Sequence, residues 1–234
     1  LKKGNSSWWS VSKALFKKKH YLVIKNAIDP KVAEFVYNYF LMKRQVAKTF
    51  FDFRYISPYS EEYGTWTDDQ IPNTYSHYSD IAMETLLLAC QPKMEKLTGI
   101  KLNPTYSYAR IYKMGDELKR HKDRFSCEIS TTMNLGGDEW PIYLEAKKNV
   151  GLPEDGFPAE SDNKGQKVIL QPGDMLVYKG MMLEHWREPF IGKDCAQVFL
   201  HYNNQFSPGA DDNIFDQRPH VGLPSWFKGT KINS

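Results

Sequence analysis

The sequence predicts a mainly β fold with flanking helices, of the sandwich or jelly-roll kind, and three observations carry that reading. From residue 101 onward, short β-branched and aromatic runs alternate with Gly, Pro and Asp turns at the spacing of antiparallel strands. Helical periodicity is confined to the N-terminal half, at about 30–46 and 79–97. A length of 234 residues, 41% hydrophobic and 14% aromatic, suffices for one large core and falls short of two ordinary domains. Residues 1–20 read as an N-terminal extension, 21–206 as the single domain and 207–234 as a C-terminal tail.

Tyr21-Leu22-Val23-Ile24 is a β-branched and aromatic run that stops at Asn26, and it predicts a strand. Asp29-Pro30 supplies an N-cap with proline at the first helical position, and Val32, Phe35, Val36, Tyr39 and Phe40 then recur on one helical face. Residues 51–78 are rich in Tyr, Ser, Pro and Asp without a sustained period, which predicts a long loop of the kind that covers active sites. In the second helix Pro92 predicts a kink or break, and Gly99 the stop. Beyond it, Tyr106, Tyr108, Arg110 and Tyr112 alternate onto one face of a strand that ends in the turn Met114-Gly115-Asp116. Further strands are predicted at 128–135, 140–145, 167–170, 175–178, 183–187 and 197–202, with a polar loop at 151–165.

Composition removes several classes of function. No apolar run approaches the ~18–20 residues that cross a bilayer, so no membrane span is expected. The net charge of +3 is dispersed, and its only dense basic run, Lys17-Lys18-Lys19, reads as a solvated stretch. A nucleic-acid partner is therefore not expected. Cys90, Cys127 and Cys195 are odd in number, far apart and without a CxxC, which fits a reducing interior. The N-terminus has no apolar run or small-residue cleavage site of a signal peptide, and the expected location is cytoplasmic.

The sharpest chemical feature is His121-Lys122-Asp123. In extended chain, residues i and i+2 share a side, so this imidazole and this carboxylate can hold one metal together. His185 follows the turn and strand Gln171-Pro172-Gly173-Asp174-Met175-Leu176-Val177-Tyr178 and supplies the second histidine. Two histidines and a carboxylate leave the other face of an iron open for a bidentate co-substrate and dioxygen. An isolated HxD is more often a surface dipeptide; its place before a strand, with that turn and a distal histidine, favours the metal site.

With these stretches, and with Ala109-Arg110-Ile111-Tyr112-Lys113-Met114-Gly115-Asp116 and His185-Trp186-Arg187-Glu188-Pro189, the chain resembles the 2-oxoglutarate- and Fe(II)-dependent oxygenases, in particular their prolyl 4-hydroxylase-like branch, over residues 21–202. The resemblance implies a double-stranded β-helix, with His121, Asp123 and His185 as iron ligands. It implies Fe(II), 2-oxoglutarate and dioxygen as cofactor and co-substrates, allows ascorbate as a reductant, and implies hydroxylation of a C–H bond with release of succinate and carbon dioxide. Peptidyl proline or a small molecule would be the substrate. Halogenation is disfavoured, because in the family it goes with loss of the carboxylate ligand, here Asp123.

The chain departs from the family at the anchor of the 2-oxoglutarate distal carboxylate. Where a basic residue is expected at the start of the last core strand, the sequence reads Phe190-Ile191-Gly192-Lys193-Asp194-Cys195-Ala196-Gln197. Strand alternation turns Arg187 inward with His185, so Arg187 is the favoured anchor, Lys193 the second and Gln197 a neutral contact. An ion pair of Arg187 with Glu184 or Glu188 is the alternative. Tyr112 matches a tyrosine that hydrogen-bonds the co-substrate; otherwise it is a core aromatic with a satisfied hydroxyl. Arg110 would meet co-substrate, substrate or an acid, and Thr132 and Asn134 would add polar lining. His201 either lines the pocket or is a buried, hydrogen-bonded histidine. A non-catalytic jelly-roll protein that binds a metal is the competing function.

Overall fold

Antiparallel pairing organises the chain into two facing sheets, seen in a computed structural model that describes residues 5–145 and 164–230. All but the last two residues of the expected 151–165 loop lie outside the described residues. In order the elements are α1 (Asn5–Lys19), β1 (Tyr21–Ile24), α2 (Pro30–Asp52), β2 (Tyr75–Tyr78), α3 (Ile81–Thr98), β3 (Leu102–Lys113), β4 (Leu118–His121), β5 (Ile129–Gly137), β6 (Ile142–Leu144), β7 (Gln166–Val168), β8 (Met175–Lys179), β9 (His185–Arg187) and β10 (Asp194–Asn204). The larger sheet has the order β1-β8-β5-β10-β3-β2 and the smaller β4-β9-β6-β7. Four strands of each, with β1 and β2 added at the edges of the larger, make a jelly roll flanked by helices.

Alternation gives the larger sheet two different faces. Ala109 and Ile111 of β3, Met133 and Leu135 of β5, Met175 and Val177 of β8, and Val198 and Leu200 of β10 join the core that holds Val36 and Phe40 of α2 and Met83, Leu87 and Met94 of α3. Leu176 and Tyr178, on the other face, meet Ile142 and Leu144 of the smaller sheet. The polar residues of β5, Ser130, Thr132 and Asn134, share this inner side, and there the site is built.

Capping follows the sequence signals. Asp29 accepts a hydrogen bond from Lys31 N at 2.8 Å with Pro30 in the first turn, and Asp80 accepts from Ala82 N and Met83 N at 2.9 and 3.1 Å. Gly99, at φ 74°, closes α3 in the left-handed conformation.

Several expectations are corrected. Pro92 does not break α3: Leu88, whose carbonyl loses its partner, and Pro92 are both on the exposed side, where water can satisfy that carbonyl. The helix expected at 30–46 is α2, which continues to Asp52, supported by a Lys48–Asp52 pair at 2.5 Å. On its face Val32 and Phe35 are exposed, and the buried stripe is Ala33, Val36, Phe40 and Ala47. The 51–78 loop gives up its end to β2, which pairs with β3 and buries Tyr75. Residues 5–19 form a helix packed on α3, with Phe16 buried and Lys96 Nζ 4.1 Å above the Trp9 ring. Among the described residues no helix is long and apolar enough to cross a membrane.

Candidate metal and co-substrate site

β4 and β9 pair so that His121 lies opposite His185, at the open end of the smaller sheet. Asp123 follows β4 directly, held by its backbone N–H donating to Gly180 O at 2.9 Å. Asp123 Oδ1 lies 3.3 Å from His185 Nε2 and 3.6 Å from His121 Nε2, and one ligand atom of each residue falls within 4.8 Å of the other two. This is the one such group of three or more His, Cys, Asp or Glu side chains among the described residues.

The imidazoles are oriented from behind. His121 Nδ1 lies 2.7 Å from Lys119 O and His185 Nδ1 3.0 Å from Leu183 O; a carbonyl accepts only, so each Nδ1 carries the proton and each Nε2 presents its lone pair to the centre. Burial opposes ionisation of Asp123, but when the imidazoles are protonated the charge of His185 and Nε2–H hydrogen bonds from both histidines outweigh it and hold the carboxyl well below the usual range; a metal would take the place of those protons. Burial lowers His185, and Asp123 more than offsets this, so its pKa is raised. A carboxylate that persists at such depth and two convergent nitrogen lone pairs fit a divalent first-row metal.

A cavity of about 320 Å³ opens over these three residues. Tyr106, Tyr108, Arg110 and Tyr112, the alternating face of β3, all line it, together with Tyr178 of β8 and Phe199 and His201 of β10. Arg110 reaches Asp68 Oδ2 at 2.8 Å and Gln70 Oε1 at 3.2 Å, and Tyr108 donates to the same Asp68 carboxylate, so the long loop is fastened across the cavity mouth. Tyr112 is fully buried, and its hydroxyl makes no hydrogen bond of good geometry among the described residues.

Arg187 stands behind that lining, within electrostatic reach of Tyr112 and Tyr178. It is 1% exposed, donates through Nη1 to Trp140 O and through Nη2 to Thr132 Oγ1 at 3.2 Å, and leaves Nε without a partner among the described residues. No carboxylate of the described residues pairs with it; Glu184 pairs with Arg120, and Glu188 is exposed. Burial lowers its pKa, the mark of a cation without a local counter-ion. Lys193 is not brought to the site: it is exposed on the turn before β10, and its backbone N–H donates to Asp138 at 2.7 Å. Gln197 accepts from Thr132 Oγ1 at 2.9 Å, beside Arg187. Asn134 donates to Leu170 O at 2.7 Å, away from the cavity lining.

Ser130, Tyr178 and Arg124 are site residues the sequence did not single out. Tyr178 was within reach as the last residue of the strand before His185; Ser130, whose Oγ lies 2.7 Å from Asp123 Oδ2, depends on the turn between them, and Arg124, which lines the cavity, is held by Asp216 about 90 residues away.

No family model and no curated protein sequence matches the chain. Solved structures do. A prolyl-4-hydroxylase from Pseudomonas putida superposes with a TM-score of 0.55 at 12% identity, over 84% of this chain and 99% of that one. SnoN, a non-heme α-ketoglutarate-dependent epimerase from nogalamycin biosynthesis, gives 0.60 at 11% identity over 98% and 97%. HygX from Streptomyces hygroscopicus, crystallised with nickel, 2-oxoglutarate and hygromycin B, gives 0.55 at 13% over 82% and 86%. The chain has the jelly-roll fold of these proteins over most of its length.

Proposed function

We propose that the protein is an Fe(II)- and 2-oxoglutarate-dependent dioxygenase that hydroxylates a C–H bond of a small molecule or peptide and releases succinate and carbon dioxide. One observation carries this reading: two imidazole lone pairs and one carboxylate converge at a cavity backed by a buried guanidinium that has no carboxylate partner among the described residues. An unpaired buried cation is costly, and a dicarboxylate co-substrate supplies the missing counter-ion.

Iron, when bound, supplies the redox chemistry of dioxygen activation. His121, Asp123 and His185 would hold it, with the cavity beside them open to co-substrate and oxygen. Arg187 pairs with the distal carboxylate, and the Tyr112 hydroxyl donates to the same ligand. Phe199 and the tyrosine face of β3 keep bulk water from the reacting centre. The match to structures crystallised with 2-oxoglutarate or described as dependent on it supports the same reading.

The test is oxygen- and Fe(II)-dependent conversion of 2-oxoglutarate to succinate. Arg187→Ala removes a charge-assisted pair worth about 1.5–3 kcal/mol, so the 2-oxoglutarate constant should rise roughly ten- to a hundredfold. Arg187→Lys should recover part of the loss, since an ammonium cannot reproduce the guanidinium fork, and Lys193→Ala should change nothing. No succinate from the wild-type protein overturns the activity; an Arg187→Ala protein with the wild-type constant overturns the anchor alone.

A further inference from the structure

Ser130 and His201 face each other across the β5–β10 pair, on the inner side of the larger sheet. Ser130 Oγ lies 2.7 Å from Asp123 Oδ2, 2.8 Å from Cys127 O and 3.1 Å from His201 Nδ1. A hydroxyl has one proton to give. Of the two acceptors the carboxylate is the anion, and a charge-assisted bond is roughly twice as strong as a neutral one. The proton therefore points at Asp123, and the oxygen of Ser130 is left as an acceptor toward His201. An unprotonated Nδ1 would set lone pair against lone pair, so Nδ1 carries the hydrogen and Nε2 does not.

We infer that Ser130 is a positioning residue for the Asp123 carboxylate and that His201, donating to Ser130, fixes the direction of that hydroxyl. The inference rests on reading His121, Asp123 and His185 as a metal site, and it needs no assumption about co-substrate or substrate. With Oδ2 engaged by Ser130, only Oδ1 faces the two imidazoles, at 3.3 and 3.6 Å. The carboxylate would thereby offer a bound metal one oxygen and leave room for ligands that arrive through the cavity. A carboxylate free to rotate would offer two. His201 is suited to a fixed donor: its ring packs at 4.6 Å on Tyr106 and runs parallel to Phe199, and it is 6% exposed. Burial also lowers its pKa to about 4, so it is neutral at physiological pH, as a single-donor tautomer requires.

The test is titration of the purified protein with Co(II), read by its visible ligand-field spectrum, on variants whose fold is checked by circular dichroism. Ser130→Ala should weaken Co(II) ten- to a hundredfold, the range typical of lost outer-shell partners, and change the spectrum as the carboxylate becomes free to chelate. At His201 two variants separate hydrogen bonding from packing. His201→Phe keeps the stacked ring and removes the N–H; His201→Asn gives up the ring and returns an N–H near the Nδ1 position. Weak binding and an altered spectrum in His201→Phe, with recovery in His201→Asn, are expected. The reverse order means that His201 serves packing only, and wild-type affinity and spectrum in Ser130→Ala overturn the inference outright. A wild-type protein that fails to bind Co(II) overturns the metal site itself, a result distinct from either.

Discussion

Gly180 sets how closely the larger sheet can approach Asp123, the carboxylate of the proposed metal site. A Cβ built there would lie 2.2 Å from Asp123 Oδ2, 2.8 Å from Ser130 Oγ and 2.4 Å from the carbonyl oxygen of Cys127. The carbonyl belongs to the backbone and cannot swing aside, so the strain falls on Asp123 and Ser130. Gly180→Ala should cost about 1–3 kcal/mol of stability, as overpacking does, and weaken Co(II) or Mn(II) at least tenfold by turning the carboxylate. Calorimetric titration checks this; wild-type metal affinity would show that the approach has room to relax. At this scale the triad was legible because HxD is local and its partner histidine follows a recognisable turn and strand. The proposed 2-oxoglutarate anchor was legible only as a ranking of Arg187 over Lys193; Arg187 is buried with no carboxylate partner among the described residues, and Lys193 is exposed. Ser130 was not legible, since the turn through 124–128 brings its hydroxyl back onto Asp123 and the β5–β10 register adds His201.

Among the elements, the segment after β10 is tied to Tyr78 and to the cavity-lining Arg124 by one buried carboxylate. Asp216, 2% exposed, accepts from Arg124 Nη1 and Nη2 at 3.1 Å each, from Ser126 Oγ and Tyr78 OH at 2.8 Å, and pairs with Lys228 Nζ at 2.7 Å. To place it, Phe215, Asp216 and Gln217 all take positive φ, near 54°, 55° and 66°, at a cost on the order of 1–2 kcal/mol per residue. Burial pushes the Asp216 carboxyl up, and hydrogen bonds from Arg124 and Lys228 outweigh it, so the pKa lies below the usual range. Its contribution is therefore complete above the ordinary carboxylate pKa of about 4 and is lost as pH falls below it. Asp216→Asn should lower stability at neutral pH by about 1–3 kcal/mol, with hydrogen exchange increased at 214–228. It should also flatten the acid limb of a plot of Tm against pH below about 4; parallel limbs for variant and wild type would contradict this role. The sequence offered no hint of the hub, since Asp216 lies about 90 residues from Arg124 and 138 from Tyr78. β2 was missed for a related reason: a four-residue strand is recognisable only by the edge it joins.

For the molecule as a whole, the larger sheet is covered on one face by α2 and α3 and on the other by the smaller sheet, so its strands place chemistry and core on alternate residues. That alternation is what made β3 readable: Tyr106, Tyr108, Arg110 and Tyr112 reach the cavity while Ala109 and Ile111 enter the core. The same architecture brings His121, Asp123 and His185 to the mouth of the jelly roll with Arg187 behind them, a pairing of metal site and anion site that defines the proposed activity. Anaerobic absorption titration of the Fe(II)-loaded protein with 2-oxoglutarate measures both at once, because a metal-to-ligand charge-transfer band requires the keto acid to chelate iron held by the triad. The band should appear with one-to-one saturation in the wild-type protein, need much higher 2-oxoglutarate in Arg187→Ala, and vanish in Asp123→Ala. No band in iron-loaded wild type at saturating 2-oxoglutarate, or an undiminished band in Asp123→Ala, contradicts the assignment.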